Sequence, residues 1–262
     1  MADTAERSAR LLKRVATTAA PFVVLAIGWQ IASFGLPRYL VPPLTDVFWR
    51  TIDIFLDWTQ FRSALATASR ILAGLVGAFV IGVALAFLME RSRAADKFLG
   101  PILNFFQGIP ALSWVVFAII WFKGIESRIL FIMVITTLPA FSFQILGALR
   151  GMSKDLLEMT LSFRPTRWKM FKVMILPAIT PDILTAWRVN LGNASRVVVV
   201  AELVGATGGV GYELLQQQQL FDMAGALAWT LQLVFFVLLT QKVISLIEAW
   251  AFKYRAQSER AL

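Results

Sequence analysis

The sequence predicts an all-α polytopic membrane protein with about six transmembrane helices and a short helix–break–helix between the fourth and fifth. Three observations carry that expectation: the composition, the spacing of apolar runs, and the placement of Lys and Arg. The 262 residues are 58% hydrophobic and 16% charged, with mean hydropathy +0.70. A soluble domain is nearer half apolar and a quarter charged. The net charge is +9, and its basic residues cluster beside apolar runs, as the positive-inside rule produces, so nucleic acid is not the implied partner. The chain has no Cys and no His. Disulfides and thiol chemistry are excluded, and zinc or haem held by the usual side chains is disfavoured.

A helix needs roughly 20 apolar residues to cross a hydrocarbon core of about 30 Å. Six stretches qualify, within a single domain over 1–262 that has no internal repeat. The first is 17–35, preceded by Arg7, Arg10, Lys13 and Arg14. No small-residue cleavage signal follows it, so it reads as a retained span. The second, 63–89, is the clearest, and its Gly74, Gly77 and Gly82 allow close helix contact. The third, 98–121, is interrupted at Gly108-Ile109-Pro110. The fourth is 128–149, where Thr136, Thr137 and Pro139 repeat that device; such interruptions serve packing as often as they line a route. The fifth is 182–204 and the sixth 225–248. Between the first two, Val47, Phe48, Ile52, Phe55 and Leu56 recur at helical spacing, which predicts an amphipathic surface helix that is more often a packed loop helix than a membrane anchor.

Orientation follows from the loops. With both termini inside, segments 1–16, 90–97, 150–180 and 250–262 hold four, three, six and three Lys or Arg, sixteen in all, against five in the outside loops. That asymmetry predicts cytoplasmic termini.

The most basic of these segments is 150–180. Ser153 is placed to cap a first short helix, with Asp155 in its first turn. Pro165 disfavours helical geometry at Arg164, and Thr166 is placed to cap a second helix. Trp168, Phe171, Met174 and Ile175 then form an apolar side flanked by Arg167, Lys169 and Lys172, and Pro177 and Pro181 are expected to end the run. Such a knuckle suits a groove on a partner protein; resting on anionic lipid is the alternative.

Polar groups in a span should face the bundle interior or a wet cavity. Arg188, Ser195 and Glu202 are spaced by seven and share a stripe. Arg188 can snorkel. Arg196 lies nearer mid-span, where it either faces a translocation path or pairs with a carboxylate such as Glu202 on another span or subunit. Arg70 reads as an interface anchor. Gln107 and Trp114 flank the Gly108/Pro110 break and can line the same route. After the fifth span, Gly205, Gly208, Gly209 and Gly211 permit a tight turn. Gln216 to Gln219 read as the extension of a surface helix.

The stretch from Glu158 to Pro181, "EMTLSFRPTRWKMFKVMILPAITP", resembles the "EAA" loop of ABC importer permeases. Glu158 takes the Glu position and "TRW" and "MILPAITP" fit. Met159 and Thr160 replace the two alanines, and Arg164 stands where the family has Gly. "PILNFFQGIPALSWVVFAIIWFKGIESRIL" from Pro101 and "AWRVNLGNASRVVVVAELVGATGGVGYEL" from Ala186 are similar to the nitrate/sulfonate/taurine branch. The resemblance implies a permease subunit in a bacterial inner membrane, with a cytoplasmic coupling helix between spans four and five. It implies a homodimer, two ATP-binding subunits that hold ATP and Mg, and an extracytoplasmic substrate-binding protein delivering cargo at the glycine-rich loop. Under it, Glu158, Arg164, Arg167, Trp168, Lys169, Phe171, Leu176 and Pro177 contact the ATPase. Gln107, Pro110, Trp114, Arg196 and Glu202 border the path of a small anion such as nitrate, a sulfonate or taurine, moved by alternating access. The chain has no Walker A motif of its own and no cofactor site. The rival readings are a nucleotide-independent channel, a membrane scaffold, and an embedded enzyme, the last weakened by the absence of His, Cys and paired span carboxylates.

Overall fold

The computed structural model describes residues 2–251. Among these are eleven α-helices, one π turn and no strand: α1 Ala2–Gly35, α2 Leu44–Leu56, α3 Trp58–Arg91, α4 Arg93–Gly108, α5 Ala111–Trp121, α6 Ile125–Arg150, α7 Lys154–Ser162, α8 Arg167–Met170, α9 Leu176–Leu203, α10 Val210–Gln219 and α11 Met223–Ala251. The basic residues counted beyond Ala251 lie outside the described residues.

Each expected apolar stretch is helical. By length and composition four helices can cross a membrane: α3, α6, α11 and the continuous Arg167–Leu203 rod. The α4–α5 pair is bent by 97° at Ile109-Pro110, and the apolar stretch Ala19–Gly35 is the C-terminal half of α1. Pro110 ends α4 because it removes a backbone donor, and it then serves as the N-cap residue of α5.

Two expectations about proline are corrected. α6 runs unbroken through Pro139. Pro177 and Pro181 do not stop the helix either: α8 passes through a π turn, Phe171–Ile175, straight into α9. Pro177 falls in the first turn of α9 and Pro181 lies inside it. The π turn bonds i to i+5, as Leu176 N–H does to Phe171 O. That wider turn relieves the clash between a proline ring and the preceding carbonyls.

The described residues gather into two compact units, 2–61 with 213–231, and 62–212 with 232–251. In the first, Trp29 Nε1 donates to Pro42 O at 2.9 Å, and Arg50 pairs with Asp222 at 2.9 Å. Asp57 caps α3, accepting from Thr59 N at 2.8 Å. That backbone donor, with the Gln60 side chain, holds its carboxyl below the usual carboxylate range. On α2, Val47 and Ile54 are buried, whereas Phe48, Trp49, Phe55 and Leu56 are exposed. Of the anticipated stripe, Val47 is packed and Ile52 half-buried, while Phe48, Phe55 and Leu56 stay exposed.

The second unit holds the main core, including Ile71, Leu75, Met89, Met133, Phe141, Ile145, Leu191 and Val198. In lipid, helix contact is held by close fit rather than by water exclusion. The fit is tight along α3. A Cβ added at Gly74 would sit 2.5 Å from Met133 Cβ, and one at Gly82 would sit 2.9 Å from Phe141 Cβ. At the far end of these helices, Arg150 bridges Glu90 at 3.1 Å and Asp96 at 2.7 Å, tying the ends of α6, α3 and α4.

Candidate functional site

Three features of the larger unit concentrate the polar and exposed residues. The first is the helix–turn–helix from Ser153 to Leu176. Ser153 Oγ accepts from Leu156 N and Thr166 Oγ1 accepts from Lys169 N at 3.3 Å, so both short helices begin at side-chain caps. Between them, Phe163 N donates to Thr160 O and Arg164 N to Leu161 O. Arg164 has φ +47°. It occupies the left-handed position that usually falls to glycine after a helix, at a steric cost of about 1–2 kcal/mol for an L-residue.

The surface of this element differs from the expected apolar side. Phe171 is half-buried against Phe87, with ring centroids 6.0 Å apart, and Ile175 packs on the core. The exposed apolar residues are Leu156, Met159, Leu161, Phe163, Trp168, Val173 and Leu176. The π turn bears on the part after Met170, where one extra residue per turn rotates the helix phase and leaves Val173 and Leu176 exposed. Glu158, Arg164, Arg167, Lys169 and Pro177 are exposed around that surface. A hollow of about 850 Å³ adjoins it, lined by Met152, Leu156, Met159, Val173, Met174 and Asp182 among others.

The second feature is a cavity of about 680 Å³ between the α4–α5 break, α6 and α9. Gln107, Pro110, Thr136, Gln144, Asn190, Asn193 and Arg196 line it. Asn190 Nδ2 donates to Gln144 Oε1 at 2.8 Å. Arg196 makes no ion pair and no side-chain hydrogen bond among the described residues. Trp114 does not line this cavity. Its ring is buried against Phe106, Phe117 and Phe131, at centroid distances of 5.6, 5.9 and 6.1 Å, and its Nε1 has no hydrogen-bond partner among the described residues. Since Phe106 does line the cavity, Trp114 stands behind the wall.

The third feature sits where α9 ends. Glu202 has no exposed side-chain area and pairs with Arg70 at 2.6 Å, not with Arg196. Thr67 Oγ1 donates to the same carboxylate at 2.8 Å, and Gly211 N donates to it at 2.8 Å. Arg70 also donates to Gly208 O at 2.8 Å and pairs with the exposed Glu126 at 2.5 Å. Val210 N donates to Thr67 Oγ1 at 2.7 Å. Arg70 therefore turns inward rather than anchoring at an interface, and the clasp pins the glycine-rich loop to α3 and α9. Gly209 has φ +118°, and a Cβ there would meet the Glu202 carboxylate, so only glycine fits. Elsewhere on α9, Arg188 pairs with Glu248 at 2.5 Å and donates to Ser245 Oγ at 3.1 Å. Its head is held by α11.

Sequence reasoning missed the clasp, Gln144 and Asn190. The one available signal was two opposite charges, Arg70 and Glu202, in separate spans, each too expensive in hydrocarbon to stand alone.

A family profile described as "Binding-protein-dependent transport system inner membrane component" matches residues 78–253. The taurine transport system permease protein TauC of Escherichia coli is 29% identical over 198 residues, covering 72% of this chain and 71% of TauC. A probable ABC transporter permease of Brucella melitensis is 30% identical over 209 residues, covering 77% of this chain and 82% of its own length. Among solved structures, the MetNI methionine ABC transporter in an inward-facing conformation aligns with TM-score 0.64 and 20% identity, over 73% of this chain and 95% of that one. That likeness supports the fold.

Proposed function

This chain belongs to the inner-membrane components of binding-protein-dependent transport systems, the permease subunits of ABC importers, and from that premise we propose how it works. It forms the pathway for a small anion such as nitrate, a sulfonate or taurine, and it takes its energy from a separate ATPase that binds ATP and Mg. The working assembly is two copies of this chain, two ATPase subunits and one extracytoplasmic binding protein. Both termini and the Ser153–Leu176 element face the cytoplasm, in keeping with the Lys and Arg asymmetry.

One observation carries the mechanism. The exposed Trp168 and the cavity residues Asn190, Asn193 and Arg196 lie on one continuous rod, Arg167–Leu203. The rise from Trp168 to Arg196 is about 40 Å. A push on the knuckle is delivered to the cavity wall without crossing a flexible joint other than the π turn, a common site of adjustment in helices. Exposed Phe163, Trp168 and Leu176 supply apolar anchors, and Arg167 and Lys169 a basic rim, for a groove on the ATPase. When ATP draws two ATPase subunits together, the two rods reorient and the cavity opens to the other side. The pathway reading rests on the unpaired Arg196 in a polar cavity.

The direct test is charge reversal, Arg167→Glu with Lys169→Glu. The ATPase should no longer co-purify with the permease, while the variant remains folded in detergent. A variant that keeps its ATPase and its coupled uptake would refute the assignment of this surface.

A further inference from the structure

We propose that Arg196 and Gln144, with Asn190 as the positioning residue, form an anion subsite that takes a small solute carrying one negatively charged oxyanion group. The proposal rests on the pathway reading above and specifies its chemistry.

Charge is the first argument. Arg196 is the sole ionisable side chain among the residues lining the cavity; the rest are apolar, amide, hydroxyl or glycine. Two other arginines of this unit are committed to carboxylates, Arg188 to Glu248 and Arg70 to Glu202 and Glu126; Arg128 is not, among the described residues, but it does not line this cavity. Arg196 has no such carboxylate among the described residues, although an uncompensated cation in a span is costly. Its missing counter-charge is the feature a ligand anion supplies. The planar guanidinium fork offers two parallel donors to the two oxygens of a nitrate, carboxylate or sulfonate edge.

The second argument is the direction of the amides. Asn190 Nδ2 donates both of its hydrogens, to Gln144 Oε1 at 2.8 Å and to Ala186 O at 2.9 Å. Asn190 is itself 1% exposed, so this arrangement is locked. It occupies the carbonyl oxygen of Gln144 and leaves the Gln144 Nε2 hydrogens uncommitted. The cavity is thus lined by one cation and by an amide whose donor hydrogens are free among the described residues; Gln144 also borders the hollow beside the Ser153–Leu176 element. Acceptors for a cationic ligand are correspondingly depleted.

The third argument is stoichiometry of charge. One Arg neutralises one negative charge. A dianion would leave a full unit uncompensated beside this single arginine, and a cation would meet Arg196 unshielded. The cavity of about 680 Å³ lies within the range of small-molecule sites.

The chain contains no cysteine, which allows a test that reads the cavity directly rather than through uptake. Asn193 lines the same cavity three residues before Arg196, on the same helix face. Asn193→Cys, in the complete importer reconstituted in liposomes, is treated with sulfonatoethyl methanethiosulfonate and with its trimethylammonium analogue, each with and without nucleotide. Gln107→Cys on the opposite wall serves if Asn193→Cys does not assemble. The ratio of anionic to cationic labelling rates should fall about tenfold when Arg196→Gln is added, the effect of one unit charge a helical turn away in a partly wet site. Ethanesulfonate should slow labelling severalfold, whereas sulfate and ethylammonium should not. Gln144→Leu should keep the rate ratio but weaken the ethanesulfonate protection.

A ratio of labelling rates that Arg196→Gln leaves unchanged, or equal protection by sulfate, overturns the single-charge anion site and leaves the pathway reading standing. If neither cysteine is labelled in any nucleotide state, the cavity is not on a water-filled route and both readings fall.

Discussion

Glu202→Gln isolates the buried half of the Arg70 clasp. The wild-type carboxylate accepts from Arg70 Nη1 and Thr67 Oγ1 on one oxygen, and from Thr67 Oγ1 and Gly211 N on the other. An amide can present its oxygen to one side alone, so its NH₂ must face a donor. The change also removes the buried counter-charge from Arg70, whose side chain is 12% exposed, and leaves it only the exposed Glu126. Removing one partner of a buried ion pair costs about 3–5 kcal/mol. For a chain of this size that is a fall in Tm on the order of 10 °C. Glu126→Gln is the internal control. It touches the same arginine, but its side chain is 69% exposed, so its loss should cost under about 1 kcal/mol. The assay is thermal unfolding of the purified complex in lipid nanodiscs, alongside protease sensitivity of the loop around Gly208 and Gly209. A Glu202→Gln shift no larger than that of Glu126→Gln would refute the idea that the clasp fixes the loop.

Other perturbations read the rest of the architecture. Arg164→Gly relieves the φ +47° strain and should raise stability by about 0.5–1 kcal/mol, seen as slower amide exchange across 160–170; faster exchange would contradict it. Gly74→Ala forces a Cβ to within 2.5 Å of Met133 Cβ and should cost about 1–3 kcal/mol in the same unfolding assay. Thr166→Ala removes the cap of α8 at about 1 kcal/mol, and should reduce ATPase-coupled uptake more than it reduces Tm.

Local physical signals explain what the sequence revealed. Ser153 and Thr166 were legible as caps because a hydroxyl just ahead of a helical pattern has one economical use. The Gly108-Ile109-Pro110 interruption was legible because proline cannot supply the donor the turn requires, and Gly74 and Gly82 because a missing Cβ inside a span invites a neighbour. Pro177 misled for a related reason. The rule that proline ends a helix assumes an α turn before it, and the chain substitutes a π turn, which then rotates Phe171 and Ile175 inward and leaves Val173 and Leu176 outside. The Arg70–Glu202 pair spans 132 residues, so no local pattern could report it. The same holds for Asn190 and Gln144, whose meaning depends on which amide atoms are already bonded.

The most direct test of the account is uptake of a radiolabelled solute, identified beforehand by its binding to the partner substrate-binding protein, into proteoliposomes. The account predicts no flux with this chain alone, and uptake that appears when the ATPase, the binding protein and ATP are all supplied. Flux at the full rate from this polypeptide alone, with no nucleotide present, would contradict it.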